Sequence, residues 1–383
     1  MKTVCSSSMP FAREAFETLG DVVMREGRAI GPADVRDARL LAVRSTTPVN
    51  RALLQGSAVR FVGTATIGHD HIDRAYLEEA GIAWAYAPGC NANSVAEYFA
   101  AALLRLAVRE GRALEGLTAG VIGVGNVGRR VVEVCRTLGL RVLQNDPPRA
   151  RAEGPGAFVA LDRVLAEADV VTLHVPLTGE GPDATRGLAG AAFFERLADG
   201  AVFVNAARGA VVDSGALCRA IDSGRVRAAV IDTWEGEPEI PRALLERAAI
   251  GTPHIAGYSF EGKVAGTRMV YEAACRFLNT GPAWDPEPLL PPPDVPELRV
   301  RATHRADEEV LDEAVAAVYD VERDDAALRA ALRLPPREQA AHFDRLRKSY
   351  RVRREFRATR LALDGASPRL AARAAGLGFN VIS

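Results

Sequence analysis

The sequence predicts an α/β protein with two doubly wound parallel sheets in succession and a separate C-terminal segment. Short apolar runs alternate with helical patterns in two successive series, and strands that alternate with helices favour parallel sheets. A Pro-rich stretch, "GPAWDPEPLLPPPDVPELRV", then interrupts the pattern and reads as a linker or an extended crossing segment. The 383 residues are also too many for one hydrophobic core and fit two or three domains.

The composition is that of a globular protein and excludes several classes. Hydrophobic residues make up 48% and charged residues 25%, and the formal net charge of −1 gives no global attraction for nucleic acid or an anionic membrane. The five cysteines are scattered without a CxxC pair, which predicts neither a disulfide framework nor a metal site and favours the cytoplasm. No apolar run approaches the ~20 residues of a membrane-spanning helix.

The first α/β series begins with strand candidates and leads to a buried helix. "LLAVRS" and "VRFVGTAT" are apolar runs that end in small polar residues, and "IDRAYLEEAGIAWAYAPG" reads as a helix followed by a strand. In "NSVAEYFAAALLRLAVREG", Ser94 with Glu97 three residues later predicts a capped helix start. Apolar residues almost all round this helix predict that it is buried.

The second series opens with a glycine-rich turn that is typical of dinucleotide binding. Gly123, Gly125 and Gly128 form GxGxxG in "GVGNVG", between the strand "AGVI" and a helix that should begin near Asn126. The free N–H groups of that helix start suit a pyrophosphate. Asp146 ends the next strand, where a carboxylate binds the ribose hydroxyls of NAD and repels the 2′-phosphate of NADP. Arg149 and Arg151 lie nearby and weaken this preference slightly.

Three further motifs place charged side chains just after predicted strands. Arg208 lies in "VNAARGAVVD", Asp232 and Glu237 lie in "AVIDTWEGEP", and His254 lies in "GTPHIAG". Oxidation of a 2-hydroxy acid needs a base for the hydroxyl proton, and histidine is suited to that task near neutral pH. A carboxylate beside the histidine favours its imidazolium form, and an arginine binds the substrate carboxylate in bidentate fashion. The sequence therefore predicts hydride transfer from a 2-hydroxy acid to NAD.

The segment after the Pro-rich stretch is helical in pattern, with "DEEVLDEAVAAVYDV" as an amphipathic helix. An Arg-rich run follows in "RLRKSYRVRREFRATR". We favour a solvated helix face for this run over an anion-binding site, and both readings stay open.

With "GVGNVG", "NAARGAVVD", "IDTWEGEP" and "TPHIAG" together, the sequence resembles the D-isomer-specific 2-hydroxyacid dehydrogenase family. The resemblance implies two Rossmann-like doubly wound parallel-sheet domains and an α+β dimerisation domain at the C-terminus of a homodimer. It implies a substrate domain built from residues 1–92 and 257–285, an NAD-binding domain at 93–256, and the dimerisation domain at 286–383.

The same resemblance implies roles for individual residues. Arg208, Glu237 and His254 would be catalytic, and Ser45, Thr66 and Tyr258 would contact the substrate. Besides the three glycines, the NAD contacts would be Asn126, Val127, Asp146, Val175, Ala206, Ala207, Asp232 and Gly257.

A narrower resemblance within the family points to the substrate. It covers "AVRSTTPVN", "FVGTATIGHDHID", "APGCNANSVAEY" and "GTPHIAGYSFEGKVAGT". It implies oxidation of 4-phospho-D-erythronate to (R)-3-hydroxy-2-oxo-4-phosphooxybutanoate in vitamin B6 (pyridoxal 5′-phosphate) biosynthesis. Two alternatives stay open. One is another D-2-hydroxyacid dehydrogenase, such as a phosphoglycerate dehydrogenase, and the other is an NAD-sensing corepressor or binding protein.

Overall fold

The computed structural model describes residues 1–382, without the side chain of Pro155, and confirms the predicted fold class. The chain divides into two compact units. The first unit consists of Met1–Asn91 and Ser259–Pro291. The second consists of Ala92–Tyr258 and the chain from Pro292 onwards.

The first unit contains a five-stranded parallel sheet. Its elements along the chain are β1 (Lys2–Ser6), α1 (Ala12–Glu17), β2 (Asp21–Arg25), α2 (Pro32–Val35), β3 (Leu40–Val43), α3 (Arg51–Leu54), β4 (Phe61–Thr64), α4 (Arg74–Glu79) and β5 (Ala83–Tyr86). The strand order is β2-β1-β3-β4-β5, so the chain reverses direction across the sheet between β1 and β3. Separate clusters of buried apolar side chains cover the sheet, as expected for a doubly wound fold.

The second unit contains a six-stranded parallel sheet in the order β11-β10-β9-β8-β6-β7. Its elements up to Tyr258 are α5 (Ala92–Glu110), β6 (Thr118–Ile122), α6 (Asn126–Thr137), β7 (Arg141–Asn145), α7 (Pro147–Glu153), α8 (Leu161–Glu167), β8 (Val170–Leu173), α9 (Ala191–Glu195), β9 (Ala201–Asn205), α10 (Ser214–Asp222), β10 (Val226–Ile231), α11 (Arg242–Arg247) and β11 (Ile250–Gly251). The reversal point lies between β6 and β8.

The chain then returns to the first unit through α12 (Phe260–Phe277). A Cβ atom on Gly63 in β4 would collide with Val270, so the glycine lets this helix lie directly on the sheet. From Pro292 onwards the chain belongs to the second unit and forms a smaller α+β domain around the parallel sheet β12-β13-β14. Its elements are β12 (Glu297–Arg301), α13 (Asp307–Val318), α14 (Val321–Arg329), α15 (Pro336–Lys348), β13 (Arg360–Asp364), α16 (Pro368–Leu377) and β14 (Asn380–Ile382).

Short 3₁₀ helices complete the secondary structure. They lie at Gly27–Ala29, Pro155–Ala157, Gly209–Val211, Glu287–Leu289, Ala330–Arg333 and Phe356–Ala358. Within residues 1–382, no helix has the length and apolar character that crossing a membrane requires.

Helix α5 is buried as predicted, but its predicted cap is wrong. The helix begins at Ala92, so Ser94 lies inside its first turn instead of capping it. Glu97 Oε1 accepts hydrogen bonds from the Asn93 side chain at 3.2 Å and from the Phe356 backbone N–H at 2.8 Å. The long-range partner lies 259 residues away, so local spacing alone suggested the wrong role.

Candidate active site

The site residues predicted in the second unit lie on loops that directly follow parallel strands. The carboxyl ends of parallel strands meet at one edge of a sheet, so these loops gather there. In spatial order from one side of the sheet, His254 follows β11, Asp232 and Glu237 follow β10, Arg208 follows β9, Val175 follows β8, Gly123 follows β6 and Asp146 follows β7.

The glycine-rich turn has the backbone geometry that a dinucleotide needs. Gly123 has a φ of +84°, and a Cβ there would lie 2.8 Å from the backbone of His174 and from Val175. A Cβ on Gly128 would overlap the carbonyl oxygen of Gly123, so this glycine allows α6 to approach the turn closely. Gly125 would meet nothing within 4 Å, which leaves its backbone open to a ligand. Each glycine therefore fits its place in a pyrophosphate cradle.

The groups around the turn match a pyrophosphate and a ribose. Helix α6 begins with Asn126 and Val127. Its N-cap residue is Gly125, which has no side chain that could accept a hydrogen bond, so the first N–H groups of the helix keep their donor capacity. The Asp146 carboxylate is held in place by the backbone N–H groups of Val124 at 2.9 Å and of Arg149 at 3.1 Å.

The two arginines near Asp146 are committed to other carboxylates. Arg149 bonds Glu153 through two nitrogen atoms at 2.6 Å each, and Arg151 pairs with Asp183. A 2′-phosphate would have to displace these pairs and approach the negative charge of Asp146. The arrangement therefore fits NAD.

The centre of the site is a hydrogen-bonded pair formed by His254 and Glu237. His254 Nδ1 lies 2.7 Å from Glu237 Oε2, and Glu237 Oε1 accepts the Trp234 backbone N–H at 2.7 Å. The pair is partly covered, with 31% of the His254 side chain and 18% of the Glu237 side chain exposed.

The protonation of this pair follows from its hydrogen bonds. Burial alone would raise the pKa of Glu237, but the charge of His254 and the hydrogen bonds from His254 and Trp234 hold that pKa below its usual range. An ionised carboxylate only accepts hydrogen bonds, so Nδ1 of neutral His254 carries the proton. The tautomer assigned in this way leaves Nε2 as a proton acceptor.

Asp232 fixes the histidine loop through hydrogen bonds to its carboxylate. Its buried carboxylate accepts hydrogen bonds from the Thr252 hydroxyl at 2.7 Å and from the backbone N–H groups of Ile255 at 2.8 Å and Ala256 at 3.0 Å. Burial raises the pKa of Asp232, although these hydrogen bonds and the charge of His254 oppose the rise. The loop thereby keeps His254 in a left-handed conformation, with a φ of 56° that costs about 1–2 kcal/mol in a non-glycine residue.

The arginine loop is fixed in a similar way by Asn205. The Asn205 side chain donates to the carbonyl oxygens of Arg208 at 3.3 Å and Thr233 at 3.1 Å. Its oxygen accepts the Ala207 N–H at 3.1 Å. A Cβ on Gly209 would overlap the Trp234 carbonyl, so the arginine loop packs directly against the loop that carries Glu237. Arg208 itself is half-buried and donates from Nη1 to the Ala207 carbonyl at 2.8 Å.

Two of the predicted substrate residues lie in the first unit and are described there alone. Ser45 is exposed in the turn after β3, and Thr66 is half-buried in the loop after β4, the neighbouring strand. The Thr66 hydroxyl donates to the Gly68 carbonyl at 2.8 Å and lies 2.8 Å from the Thr64 hydroxyl. Thr64 in turn lies 2.9 Å from Nε2 of His71, and burial lowers the pKa of His71 to about 4. The Thr66 hydroxyl is therefore already engaged within the protein.

Tyr258 and the remaining predicted contacts lie in the second unit. Gly257 and Tyr258 are half-buried at the end of the histidine loop, and Ala206 precedes Ala207 in the arginine loop. The Tyr258 ring packs edge-to-face on Tyr350 at 5.8 Å, and the Arg347 guanidinium lies over it at 5.9 Å. Sequence reasoning missed both neighbours, since nothing in the Arg-rich run distinguishes them from solvated side chains. Within the described residues, no cluster of three or more His, Cys, Asp or Glu side chains could hold a metal ion.

Comparison with known proteins agrees with this geometry. Residues 92–256 match the model of the D-isomer specific 2-hydroxyacid dehydrogenase NAD binding domain, and residues 289–378 match a domain of unknown function. The chain is 48% identical to an erythronate-4-phosphate dehydrogenase of Salinibacter ruber, over 93% of this chain and 92% of the relative. It is 45% identical to one of Citrobacter koseri, over 100% of this chain and 99% of the relative.

Solved structures of related dehydrogenases resemble a large part of the chain. A 3-phosphoglycerate dehydrogenase of Entamoeba histolytica with bound NAD+ is 25% identical, with a TM-score of 0.63 over 73% of this chain and 95% of that one. A D-lactate dehydrogenase of Aquifex aeolicus with NAD and lactic acid is 27% identical, with a TM-score of 0.60 over 72% of this chain and 95% of that one. About a quarter of this chain therefore has no counterpart in either of these two dehydrogenases.

Proposed function

The chain belongs to the erythronate-4-phosphate dehydrogenases of the D-isomer specific 2-hydroxyacid dehydrogenase family, and we propose that it oxidises 4-phospho-D-erythronate. It is an NAD-dependent oxidoreductase. The observation that carries the proposal is the His254–Glu237 pair at 2.7 Å, next to the Arg208 loop and at the same sheet edge as the glycine-rich cradle. The product would be (R)-3-hydroxy-2-oxo-4-phosphooxybutanoate.

The chemistry that we propose divides into a proton and a hydride. His254 accepts the proton of the substrate C2 hydroxyl at Nε2, while Glu237 stabilises the positive charge that develops on the ring. The C2–H bond breaks, its electron pair leaves with the hydrogen as hydride, and a C2=O double bond forms. Bound NAD supplies the hydride acceptor. Arg208 binds the substrate carboxylate and the developing carbonyl oxygen.

The cofactor contacts that we propose are those of the cradle and the neighbouring loops. They comprise Gly123, Gly125, Asn126, Val127, Gly128, Asp146, Val175, Ala206, Ala207, Asp232 and Gly257. The Asp232 carboxylate accepts three hydrogen bonds from the histidine loop, so we infer that Asp232 acts on the cofactor side mainly by holding that loop. The open backbone at Gly125 and the uncapped start of α6 support the pyrophosphate contact.

For the substrate, we propose contacts with Ser45, Thr66 and Tyr258. The exposed Ser45 hydroxyl can donate directly. The Thr66 hydroxyl donates to Gly68, so we infer that Thr66 uses its backbone N–H instead. The tyrosine hydroxyl offers a donor next to the histidine loop.

We also infer a place in vitamin B6 biosynthesis and a homodimer, because the relatives bear the enzyme name and the family resemblance implies dimerisation. The pathway would be tested by expressing this chain in a strain that lacks the enzyme activity. Growth of that strain without added pyridoxine is the expected result. The molar mass of the full chain in solution would test the dimer, and a monomer at micromolar concentration would reject it.

The function itself is tested by NADH formation with matched substrates. We expect the highest kcat/KM with 4-phospho-D-erythronate and much slower turnover of 3-phosphoglycerate. Faster turnover of 3-phosphoglycerate would support a phosphoglycerate dehydrogenase instead. Binding of NADH without turnover of either acid would favour an NAD-sensing binding protein.

A further inference from the structure

The C-terminal domain of the second unit reaches the histidine loop through the Arg-rich run. Helix α15 ends at Lys348, and the chain after it contacts Tyr258 and Ala256 of the histidine loop. Arg353 is buried, with 2% of its surface exposed, and donates to the carbonyl oxygens of Ala256 at 3.0 Å and Ser94 at 3.4 Å. Its guanidinium lies 4.1 Å from the centre of the Tyr319 ring. The prediction of a solvated helix face is therefore wrong for this part of the run.

The arginines of this run differ in what neutralises them. Arg351 pairs with the buried carboxylate of Asp324, and Arg353 is bound by carbonyl oxygens. Arg345 is exposed on α15. Arg347 is half-buried, and within residues 1–382 no ion pair ties it to a carboxylate. Its Nε is buried without a hydrogen-bond partner in the described structure.

Arg347 nevertheless faces the candidate active site. Its guanidinium carbon lies 5.9 Å from the ring centres of Tyr258 and Phe343. Burial alone would lower the pKa of Arg347, but the Tyr258 hydroxyl and the charges of Glu237 and Asp232 raise it overall. The charge of Arg347 also acts on Glu237 and helps to lower the pKa of that carboxyl. A cation with unused donor capacity thus lies within electrostatic reach of the His254–Glu237 pair.

We propose that Arg347 binds the phosphate of the substrate. This inference rests on the proposed function, because only a phosphorylated acid brings a second anionic group. Arg208 is assigned to the carboxylate end of the molecule, so the phosphate at the other end needs a cation of its own. A half-buried guanidinium without a carboxylate partner suits a phosphate, which accepts two parallel N–H bonds. The buried Nε–H of Arg347 would gain its missing acceptor in the complex.

The C-terminal domain would then determine substrate specificity as well as support the fold. Tyr350 packs on Tyr258, and Arg353 donates to the carbonyl oxygen of Ala256. These two contacts tie the segment after Arg347 to the histidine loop. The rival cation is Arg44, which follows β3 in the first unit and donates to the Ser8 carbonyl at 3.3 Å. The experiment below distinguishes the two.

The test compares a substrate with its dephosphorylated analogue. 4-Phosphoerythronate and erythronate share the carboxylate and the reacting carbon, so the ratio of their kcat/KM values isolates the phosphate. In Arg347→Met we expect kcat/KM to fall by about 10- to 100-fold with the phosphorylated acid, the loss typical of a charged hydrogen-bond partner. With erythronate it should change by less than about threefold. Arg345→Met is the matched control on the same helix and should leave both values unchanged.

Inhibition by inorganic phosphate gives a second readout that needs no slow substrate. Phosphate should compete with 4-phosphoerythronate in the wild type. It should inhibit Arg347→Met at least about tenfold more weakly. Equal losses of kcat/KM on both acids with unchanged phosphate inhibition would overturn the inference and make Arg347 a structural residue. A phosphate-selective loss in Arg44→Met but not in Arg347→Met would also overturn it. Wild-type enzyme without turnover of 4-phosphoerythronate would instead reject the proposed function.

Discussion

Replacing Glu237 by Gln should move the acidic limb of the pH–rate profile to lower pH. The carboxylate stabilises protonated His254 through the 2.7 Å contact between Oε2 and Nδ1, and the protonated ring cannot accept the substrate proton. Glutamine keeps the size of the side chain but carries no charge, and its one oxygen can accept only one of the two N–H bonds that Glu237 accepts. The base then stays unprotonated at lower pH, so activity persists further into the acidic range.

The size of the shift follows from the geometry of the pair. Unit charges with centres about 4 Å apart attract by about 4 kcal/mol at an effective dielectric constant of ~20. Both side chains keep solvent contact, with 31% and 18% exposed, so screening should reduce the attraction to about 2 kcal/mol. One pH unit corresponds to 1.36 kcal/mol, so we expect a shift of about 1–1.5 units. The charge of Asp232, which also interacts with that of His254, stays in place in this variant.

The acidic limb does not report the titration of Glu237 itself. The pKa of Glu237 lies below its usual value of 4.5, so this carboxylate stays charged above that pH. The stability that the depressed pKa contributes is present above pH 4.5 and is lost as the pH falls through the folded-state pKa. Stability measured across the range separates this effect from catalysis.

The assay is kcat/KM for NADH formation from pH 5 to pH 10. Glu235→Gln is the matched control, because Glu235 is exposed, accepts the Ser214 N–H at 3.3 Å and lies only two residues away. It should leave the limb unmoved. A limb that stays in place in Glu237→Gln, or that moves to higher pH, would refute the pairing of Glu237 with His254 during catalysis.

Three further substitutions test other parts of the site. His254→Asn should lower kcat by about 10²–10⁴-fold while NADH affinity, measured by fluorescence, stays near that of the wild type; near wild-type turnover would exclude His254 as the base. Asp146→Ser should raise the NADP-to-NAD ratio of kcat/KM by about tenfold or more, since the 2′-phosphate is no longer repelled, and an unchanged ratio would argue against the ribose contact. Arg353→Met should lower the free energy of unfolding in urea by at least about 2 kcal/mol, because two buried carbonyl oxygens lose a charged donor, whereas Arg345→Met should not.

Local patterns in the sequence were enough to predict the elements whose determinants are close together. The glycine-rich turn and α6 follow from a strand, three spaced glycines and a helix pattern within about twenty residues. The alignment of His254 with Glu237 could also be predicted, since both follow strands of one parallel sheet. The role of Glu97 in α5 could not, because one of its hydrogen bonds comes from Phe356, 259 residues further along the chain.

The role of the Arg-rich run was the least predictable part of the site, and the reason bears on how it should be tested. Arg345 and Arg347 lie on one helix, and only the fold makes one exposed and the other a neighbour of Tyr258. The same run also supports the catalytic loop, since Arg353 binds Ala256. Most buried apolar side chains of the C-terminal domain share one core cluster with α5 and α6. Removing the domain near Pro291 would therefore take away the proposed phosphate ligand, loosen the histidine loop and expose the core at the same time. Loss of activity or of dimerisation in such a truncated chain would say nothing about which function was lost. Single substitutions separate these functions, because Arg347→Met should change selectivity for the phosphate, whereas Arg353→Met should change stability first.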